Sequence, residues 1–184
     1  MITVLDKNTA LILIDLQKGI VAYPTAHPTE GVLTNAAKLV EAFHKAGQPV
    51  VIVNVKPSGN WTKARKEPTS PRPPAGADWA EIVPEIKTDP TDIFITKHTW
   101  GAFFETDLHQ ELQKRNVTGI VIGGISTSKG VEGTARQASE LGYNVTFVTD
   151  AMTDTITDAH TNSIKYIFPA IGEIGVSDDV IALL

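Results

Sequence analysis

Three polar features stand where apolar runs of this chain end, and each could take part in chemistry. Asp15 directly follows a run of five apolar residues, and Lys97 closely follows a second apolar run. The glycine- and hydroxyl-rich residues 123–130 follow a third. In an open parallel sheet, ligands bind beyond the carboxyl ends of the strands. We therefore expect these three features to meet at one edge of a sheet.

Asp15 and Lys97 together could move a proton. Burial at the end of an apolar run raises the pKa of a carboxyl group, and a nearby ammonium lowers it again. A pair tuned in this way is suited to general acid–base catalysis. The alternative is structural: Asp15 would cap the turn that follows it, and Lys97 would pair with it for stability alone. The spacing of the two residues leaves both interpretations open.

Residues 124–130 precede a predicted helix, where successive backbone N–H groups can bind an oxyanion, a phosphate or a carboxylate. The glycine spacing, with Lys129 ahead of Gly130, fits neither a P-loop nor a G-x-G-x-x-G fingerprint. The hydroxyls of Ser126, Thr127 and Ser128 could bind a ligand. They could equally cap the helix, as serine and threonine commonly do.

The remaining titratable residues give no sign of a metal site. None of the histidines lies in an H-x-H or H-E-x-x-H arrangement, and they are His27, His44, His98, His109 and His160. Asp150, Asp154 and Asp158 are four residues apart and more readily cap a helix than hold a cation. We expect a protein without a metal ion or other cofactor.

The composition limits the classes of protein to which the chain can belong. The 184 residues carry 16 basic and 21 acidic side chains, a net charge of −5, and 42% of them are hydrophobic. This length suits a single domain, residues 1–184. A mildly acidic chain without a basic cluster is a poor partner for nucleic acid or an anionic membrane. The absence of cysteine excludes disulfides and every cysteine nucleophile.

The chain shows no signal-peptide core near its first residues and no apolar run of membrane-spanning length. A cytoplasmic location is the expectation that these two observations leave.

Short apolar runs alternate with helical patterns along the chain. Five strands are predicted at 10–14, 49–54, 92–96, 119–123 and 144–149, and 163–168 is a candidate sixth. Apolar residues at helical spacing lie between them, and Gly47 and Gly142 end two of these helices. Strands that alternate with helices form βαβ units, which predicts an α/β protein with a parallel sheet covered on both faces.

Residues 56–90 interrupt this alternation. They hold seven of the 11 prolines and two tryptophans, Trp61 and Trp79. Irregular segments of this length are uncommon in compact domains and are often lids, binding loops or interface arms. The alternative is a surface excursion packed by its own aromatic side chains.

Four stretches, in order and at family-like spacing, resemble the isochorismatase-like hydrolases, also called the cysteine hydrolase superfamily. They are residues 10–17, 96–108, 124–136 and 142–151. The resemblance runs from Thr9 to Phe168, nearly the whole chain. It implies a three-layer αβα fold with a doubly wound, six-stranded, mostly parallel sheet. It also implies a homo-oligomer, a dimer or larger.

The family's catalytic triad of Asp, Lys and Cys falls, by this resemblance, on Asp15, Lys97 and Gly130. The family's cis peptide falls on Ile125–Ser126. The chain departs from the pattern at Gly130, because no cysteine stands there or anywhere else. Amide hydrolysis through a thioester, the route of nicotinamidases and N-carbamoyl hydrolases, cannot run without that thiol. The zinc-binding residues of nicotinamidases are missing as well.

Isochorismatases, another branch of the family, cleave a vinyl ether, and some resemble this chain in having glycine at the cysteine position. That chemistry needs an acid, a positive group and a shaped pocket, but no covalent nucleophile. Asp15 would be the general acid, and Lys97 would orient it and bind a substrate carboxylate. The N–H groups near Gly130 and the hydroxyls of residues 126–128 would hold another substrate oxygen.

We therefore expect a hydrolase of a small acidic substrate resembling isochorismate. Trp100 and Phe103 are candidate pocket residues, although aromatic side chains more often belong to a core. Lys129 could face solvent or a subunit interface, or supply a second cation. Two other functions stay open. One is a hydrolase that acts on an amide or ester through a hydroxyl or a water, and the other is a small-molecule binding or scaffold protein without catalysis.

Overall fold

Strands and helices alternate along the chain as the sequence predicts. The computed structural model describes residues 2–56 and 76–184. The strands are β1 (Thr9–Ile14), β2 (Val50–Val55), β3 (Ile93–Lys97), β4 (Gly119–Ile125), β5 (Asn144–Thr153) and β6 (Glu173–Gly175). The helices are α1 (Lys18–Val21), α2 (Thr29–Lys45), α3 (Leu108–Lys114), α4 (Glu132–Glu140), α5 (Thr157–Asn162) and α6 (Ser177–Ile181).

The six strands form one sheet in the order β3-β2-β1-β4-β5-β6, and every pair of neighbours is parallel. The chain starts in the middle at β1, moves outward to β3, then returns to β4 beside β1 and moves outward the other way. This reversal creates a crevice beyond the carboxyl ends of β1 and β4, the place where doubly wound sheets bind ligands. The predicted α/β, doubly wound fold is confirmed.

Apolar residues on consecutive positions place helices on both faces of the sheet. Every residue of β1 and β4 is buried, as expected of strands covered on two sides. Residues of α3 and α4 pack with Ile12 on one face. Residues of α2 and α6 pack with Leu11 and Leu13 on the other. The result is three layers, as the resemblance implies.

The predicted helix ends are confirmed at two glycines. Gly47 follows the last residues of α2 with a φ of 67°, and Gly142 follows α4 with a φ of 87°. Glycine adopts this left-handed conformation without the penalty that a Cβ would bring.

The sixth strand is not where the sequence predicts it. Residues 163–168 form a π-helical turn (Ser163–Ile167) that leads into a short 3₁₀ turn, whereas β6 is the three-residue segment Glu173–Gly175. Ile164, Ile167 and Phe168 recur at helical spacing and pack against the core together. The fifth strand also runs four residues beyond its predicted end, because Met152 and Thr153 pair with the last residues of β4.

The proline-rich segment lies mostly outside the described residues, so the interpretations of its prolines and of Trp61 are not examined by the structure. Its return, from Gly76, packs against the residues that follow β1. Gln17 pairs with Ile82 in an isolated antiparallel bridge, and Trp79 O accepts the Gly19 N–H at 2.9 Å. Within the described residues, no helix is long and apolar enough to cross a membrane.

Candidate functional site

Asp15 follows the last residue of β1 and turns the chain out of the sheet. Its backbone N–H donates to Val53 O at 3.0 Å, which extends the pairing of β1 and β2 by one residue. Its φ is 52°, in the left-handed region that aspartate tolerates better than most residues. The side chain is buried, and its Oδ1 atom has no hydrogen-bond partner among the described residues. Most buried polar atoms in proteins have a hydrogen-bond partner, so this unpaired acceptor is a candidate contact for a ligand.

Lys97, the last residue of β3, reaches Asp15 from two strands away. Its Nζ donates to Asp15 Oδ2 at 2.7 Å and to Thr99 O at 3.2 Å. The two side chains are only 2% and 7% exposed. The predicted Asp15–Lys97 pair is therefore present as a direct, buried ion pair.

Burial raises the pKa of the Asp15 carboxyl from its ordinary 3.8 to about 6, and the Lys97 ammonium partly offsets this rise. The cost of removing the carboxylate from water is the larger effect. Near neutral pH, Asp15 can therefore both hold and release a proton, which a general acid or base requires. A carboxyl that only stabilised the fold through an ion pair would ordinarily have a lowered pKa.

Gly130 completes this group from the helical side. A Cβ atom built on Gly130 would lie 3.3 Å from Asp15 Oδ2 and 3.5 Å from Lys97 Nζ. The same atom would lie 2.7 Å from Ile14 Cγ2, closer than real Cβ contacts allow. The structure thus brings together the three positions that the resemblance assigns to the catalytic triad. The methyl group of Ile14 occupies part of the room that a side chain at position 130 would need.

The turn from β4 into the helix is tight. The Ile125–Ser126 peptide is cis, as the resemblance implies. Gly124 has a φ of 122°, and a Cβ there would lie 2.1 Å from Ile14 O. Only glycine allows β1 and β4 to approach this closely. After the cis peptide, a π-helical turn (Thr127–Val131) leads directly into α4.

Of the three hydroxyls in this turn that the sequence offers as ligand contacts, two already form hydrogen bonds within the protein. Ser128 donates both its Oγ hydrogen (2.8 Å) and its backbone N–H (2.7 Å) to Asp154 Oδ2. Thr127 is fully buried, with its Oγ1 2.8 Å from His160 Nδ1. Ser126 is half-buried, and Ser126 O accepts the N–H groups of Lys129 and Val131.

The two aromatic candidates for the pocket, Trp100 and Phe103, lie in different surroundings. Trp100 is 51% exposed in the loop after Lys97, which leaves it at the carboxyl edge of the sheet. Phe103 stacks on Tyr143, which precedes β5 at the opposite edge, with ring centroids 5.8 Å apart. The ring of Phe103 therefore packs against the residue that leads into β5. Lys129 is half-buried in the turn beside Gly130.

Asp150, in β5, and Asp154, directly after β5, accept hydrogen bonds from backbone N–H groups at the starts of two helices, although neither stands at the N-cap position of its helix. Asp150 accepts the N–H and hydroxyl of Ser177, the first residue of α6. Asp154 accepts the Ile156 N–H at the start of α5. In the part of the chain that the structure describes, no group of three or more His, Asp or Glu residues is arranged to hold a metal ion.

Two buried polar residues of the site were not identified from the sequence. The Gln17 amide accepts the Val55 N–H (2.7 Å) and donates to Val55 O and Trp79 O. Thr134 joins α4 to the loop after β3. Gln17 could have been found from its position two residues after Asp15, but Thr134 has no distinguishing sequence signal.

Comparison with known proteins agrees with this geometry. The isochorismatase domain model matches residues 9–179. The isochorismatase family protein YwoC of Bacillus subtilis is 42% identical, over 94% of this chain and 92% of its own. The family protein YecD of Escherichia coli O157:H7 is 38% identical, over 97% of each chain. The solved structure of an isochorismatase family protein from Burkholderia thailandensis superposes with a TM-score of 0.92 at 38% identity, covering 100% of this chain and 99% of that one.

Proposed function

This chain belongs to the isochorismatase family, and on that premise we propose that it hydrolyses a small acidic vinyl ether resembling isochorismate. The reaction we propose uses Asp15 as general acid and needs neither a thiol nor a metal ion. One observation carries the proposal: a buried Asp15 carboxyl with a pKa raised to about 6 and a free Oδ1 atom, in a chain without cysteine.

The proposed chemistry begins with a proton. Asp15 transfers it to the methylene carbon of the enol ether, whose double bond supplies the electron pair for the new C–H bond. The resulting oxocarbenium ion is captured by water, which loses a proton to the Asp15 carboxylate. The hemiketal carbon then loses its bond to the former ether oxygen, and the hemiketal hydroxyl proton passes to that oxygen, which yields pyruvate and the alcohol on the ring. One water is consumed, and Asp15 ends in the state in which it began.

Lys97 has two roles in this proposal. Its Nζ, 2.7 Å from Asp15 Oδ2, orients the carboxyl group so that Oδ1 faces the substrate. Its positive charge also favours binding of a substrate carboxylate in a site where water does not screen it. Because Gly130 has no side chain, only the methyl group of Ile14 lies beside the pair at this position.

The contacts of the turn argue against Ser128 and Thr127 as the nucleophile, which leaves Ser126 of the three hydroxyls. A serine or threonine nucleophile needs a free oxygen and a base that takes its proton. The Ser128 hydroxyl is committed to Asp154, which also accepts two backbone N–H groups. Thr127 has an imidazole neighbour in His160, but it is fully buried. We therefore favour acid-assisted hydrolysis over the hydroxyl route.

The experiment that tests the proposal measures pyruvate release from isochorismate by the purified protein. We expect turnover in the unchanged chain and a loss of about 100-fold or more in Asp15→Asn, the range that general acid catalysis supplies. Asp158→Asn is the matched control, since it removes the same charge at an exposed position. That variant should retain full activity.

Pyruvate release that survives Asp15→Asn would show that another group is the acid. No release at all, from protein shown to be folded by circular dichroism, would contradict vinyl ether hydrolysis. Isochorismate that binds without turnover would then favour the non-catalytic function. Turnover of small amides or esters would favour the hydroxyl- or water-dependent hydrolase.

A further inference from the structure

One buried side chain joins the loop that follows Lys97 to the helical turn that carries Gly130. Thr134, in the first half of α4, is completely buried. Its Oγ1 donates to Gly130 O at 2.7 Å, a bond to the fourth preceding carbonyl that helical threonines often make. The same oxygen also accepts the Ala102 N–H at 3.0 Å, which is a contact with a different element.

Ala102 belongs to the loop that holds Lys97 in place. Two residues after β3, the chain has turned back so that Thr99 O accepts a hydrogen bond from Lys97 Nζ at 3.2 Å. Three residues further on, the loop is attached to α4 through the Thr134 hydroxyl. The contacts therefore run without a break from the Lys97 ammonium, through the loop, to the carbonyl of Gly130.

We propose that Thr134 is a positioning residue, whose hydroxyl fixes the Lys97 loop against the Gly130 end of the helix and so holds Lys97 on Asp15. Any effect of Thr134 on catalysis rests on the proposed function, in which Asp15 is the general acid. The positioning itself concerns the Asp15–Lys97 pair and can be measured without any substrate.

Gln137 provides an internal comparison on the same face of α4. Its Oε1 accepts the N–H of Phe103, the residue after Ala102, at 3.2 Å. Its amide also packs over Gly101, where an added Cβ would lie 2.1 Å from Oε1. Gln137 thus anchors the same loop but makes no hydrogen bond to Gly130. Loss of the Gln137 amide should loosen the loop at Phe103, while Thr134 still holds Ala102.

Removal of the Thr134 hydroxyl has a defined electrostatic consequence. The Ala102 N–H loses its acceptor, and the loop relaxes away from α4. Lys97 Nζ then lies on average farther from Asp15 Oδ2. Because the Lys97 charge lowers the pKa of Asp15, its withdrawal raises that pKa.

The experiment is a ¹³C NMR titration of the Asp15 carboxyl, assigned by comparison with Asp15→Asn. It compares the unchanged chain with Thr134→Val, which keeps the shape but loses the hydroxyl, and Thr134→Ser, which keeps the hydroxyl. We expect the titration midpoint to rise in Thr134→Val and to return to that of the unchanged chain in Thr134→Ser. Gln137→Met should change it less than Thr134→Val does.

An unchanged midpoint in folded Thr134→Val would overturn the proposal, as would a rise of equal size in Thr134→Ser. If Thr134→Val does not fold, Thr134→Ala takes its place. If neither folds while Thr134→Ser does, the hydroxyl is a requirement of the whole fold and the positioning role is rejected. A shifted midpoint in a protein that never releases pyruvate would leave this proposal standing and contradict only the proposed function.

Discussion

At the scale of the residue, Asp15 is a buried carboxyl at the end of β1 with a raised pKa. The carboxyl is buried beside an ammonium, yet desolvation outweighs the attraction and its pKa rises to about 6. Breaking a buried pair by removing one partner is costly, about 3–5 kcal/mol. The pair therefore contributes to the fold as well as to the proposed reaction, and loss of activity in variants of Asp15 must be measured beside a check of folding.

The pH dependence of the proposed reaction follows from the raised pKa of Asp15. A general acid works in its protonated form, so kcat/KM should be highest below about pH 6 and fall about tenfold per unit at higher pH. An aspartate with its ordinary pKa of 3.8 would lose the catalytic proton at a much lower pH, so the raised pKa extends the pH range of activity upward. Steady-state rates from about pH 5 to about pH 8 check this prediction. A rate that increases with pH would instead identify Asp15 as a base.

The lack of a side chain at Gly130 should be a requirement of the packing as well as of the chemistry. In Gly130→Ala, the new Cβ would meet Ile14 Cγ2 at 2.7 Å. We expect overpacking to lower the free energy of unfolding by about 1–3 kcal/mol, offset by up to about 1 kcal/mol of better helix propensity. Urea denaturation measures the net effect.

A double-mutant cycle isolates the Ile14 contact. Ile14→Ala removes the γ-methyl that meets the new Cβ, so Gly130→Ala should cost less in that background. Ile14→Val keeps a methyl at that place and serves as the matched background, in which the cost should be undiminished. Equal costs in the two backgrounds would mean that some other contact limits position 130.

At the scale of the element, the carboxyl edge of the sheet is held together by side chains that bond to backbone. Gln17 shows this most directly, because its amide joins the end of β2 to the return of the proline-rich segment. Asp154 does the same for the turn after β4. Such bonds fix the positions of segments that have no regular structure of their own.

Gln17→Met should weaken this edge. The methionine leaves the buried Val55 N–H without its acceptor, which costs about 1–3 kcal/mol. We expect a fall of that size in the free energy of unfolding, together with faster hydrogen exchange at the Val55 amide. Gln110→Met, at an exposed position of α3, should stay within about 0.5 kcal/mol of the unchanged chain. Slow exchange at Val55 in Gln17→Met would contradict the role assigned to the amide.

The elements that carry the site could be predicted from sequence because their signals are local. β1, β2 and β4 are apolar on consecutive residues, β3 and β5 are rich in apolar residues, and Asp15 stands directly after the first of these strands. The sixth strand could not, since three residues with one large apolar side chain give no periodicity. The hydrogen bond from the Ser128 hydroxyl to Asp154 joins residues that are 26 positions apart in the sequence. No local pattern indicates it, and the same holds for the contact between Thr134 and Ala102.

At the scale of the whole molecule, the exposed apolar residues bear on assembly. The resemblance implies a homo-oligomer, and Leu183 and Leu184 are 43% and 38% exposed after α6. We expect light scattering to give a multiple of the 19.8 kDa chain mass. If these last residues lie at a subunit contact, Leu183→Glu with Leu184→Glu should lower that mass. Thr161→Glu, which adds a charge at another exposed position, should leave it unchanged, and a monomeric starting protein would contradict the expectation.

The glycine at position 130 also changes which chemical stresses the site can survive. A thiolate nucleophile is open to peroxide and to electrophiles, which convert it first to a sulfenic acid and then to forms that cannot be recovered. A carboxyl, an ammonium and a glycine backbone offer these reagents no sulfur to attack. Under oxidative stress, an enzyme that depends on such a thiolate would lose its activity, while the reaction proposed for Asp15 and Lys97 would continue.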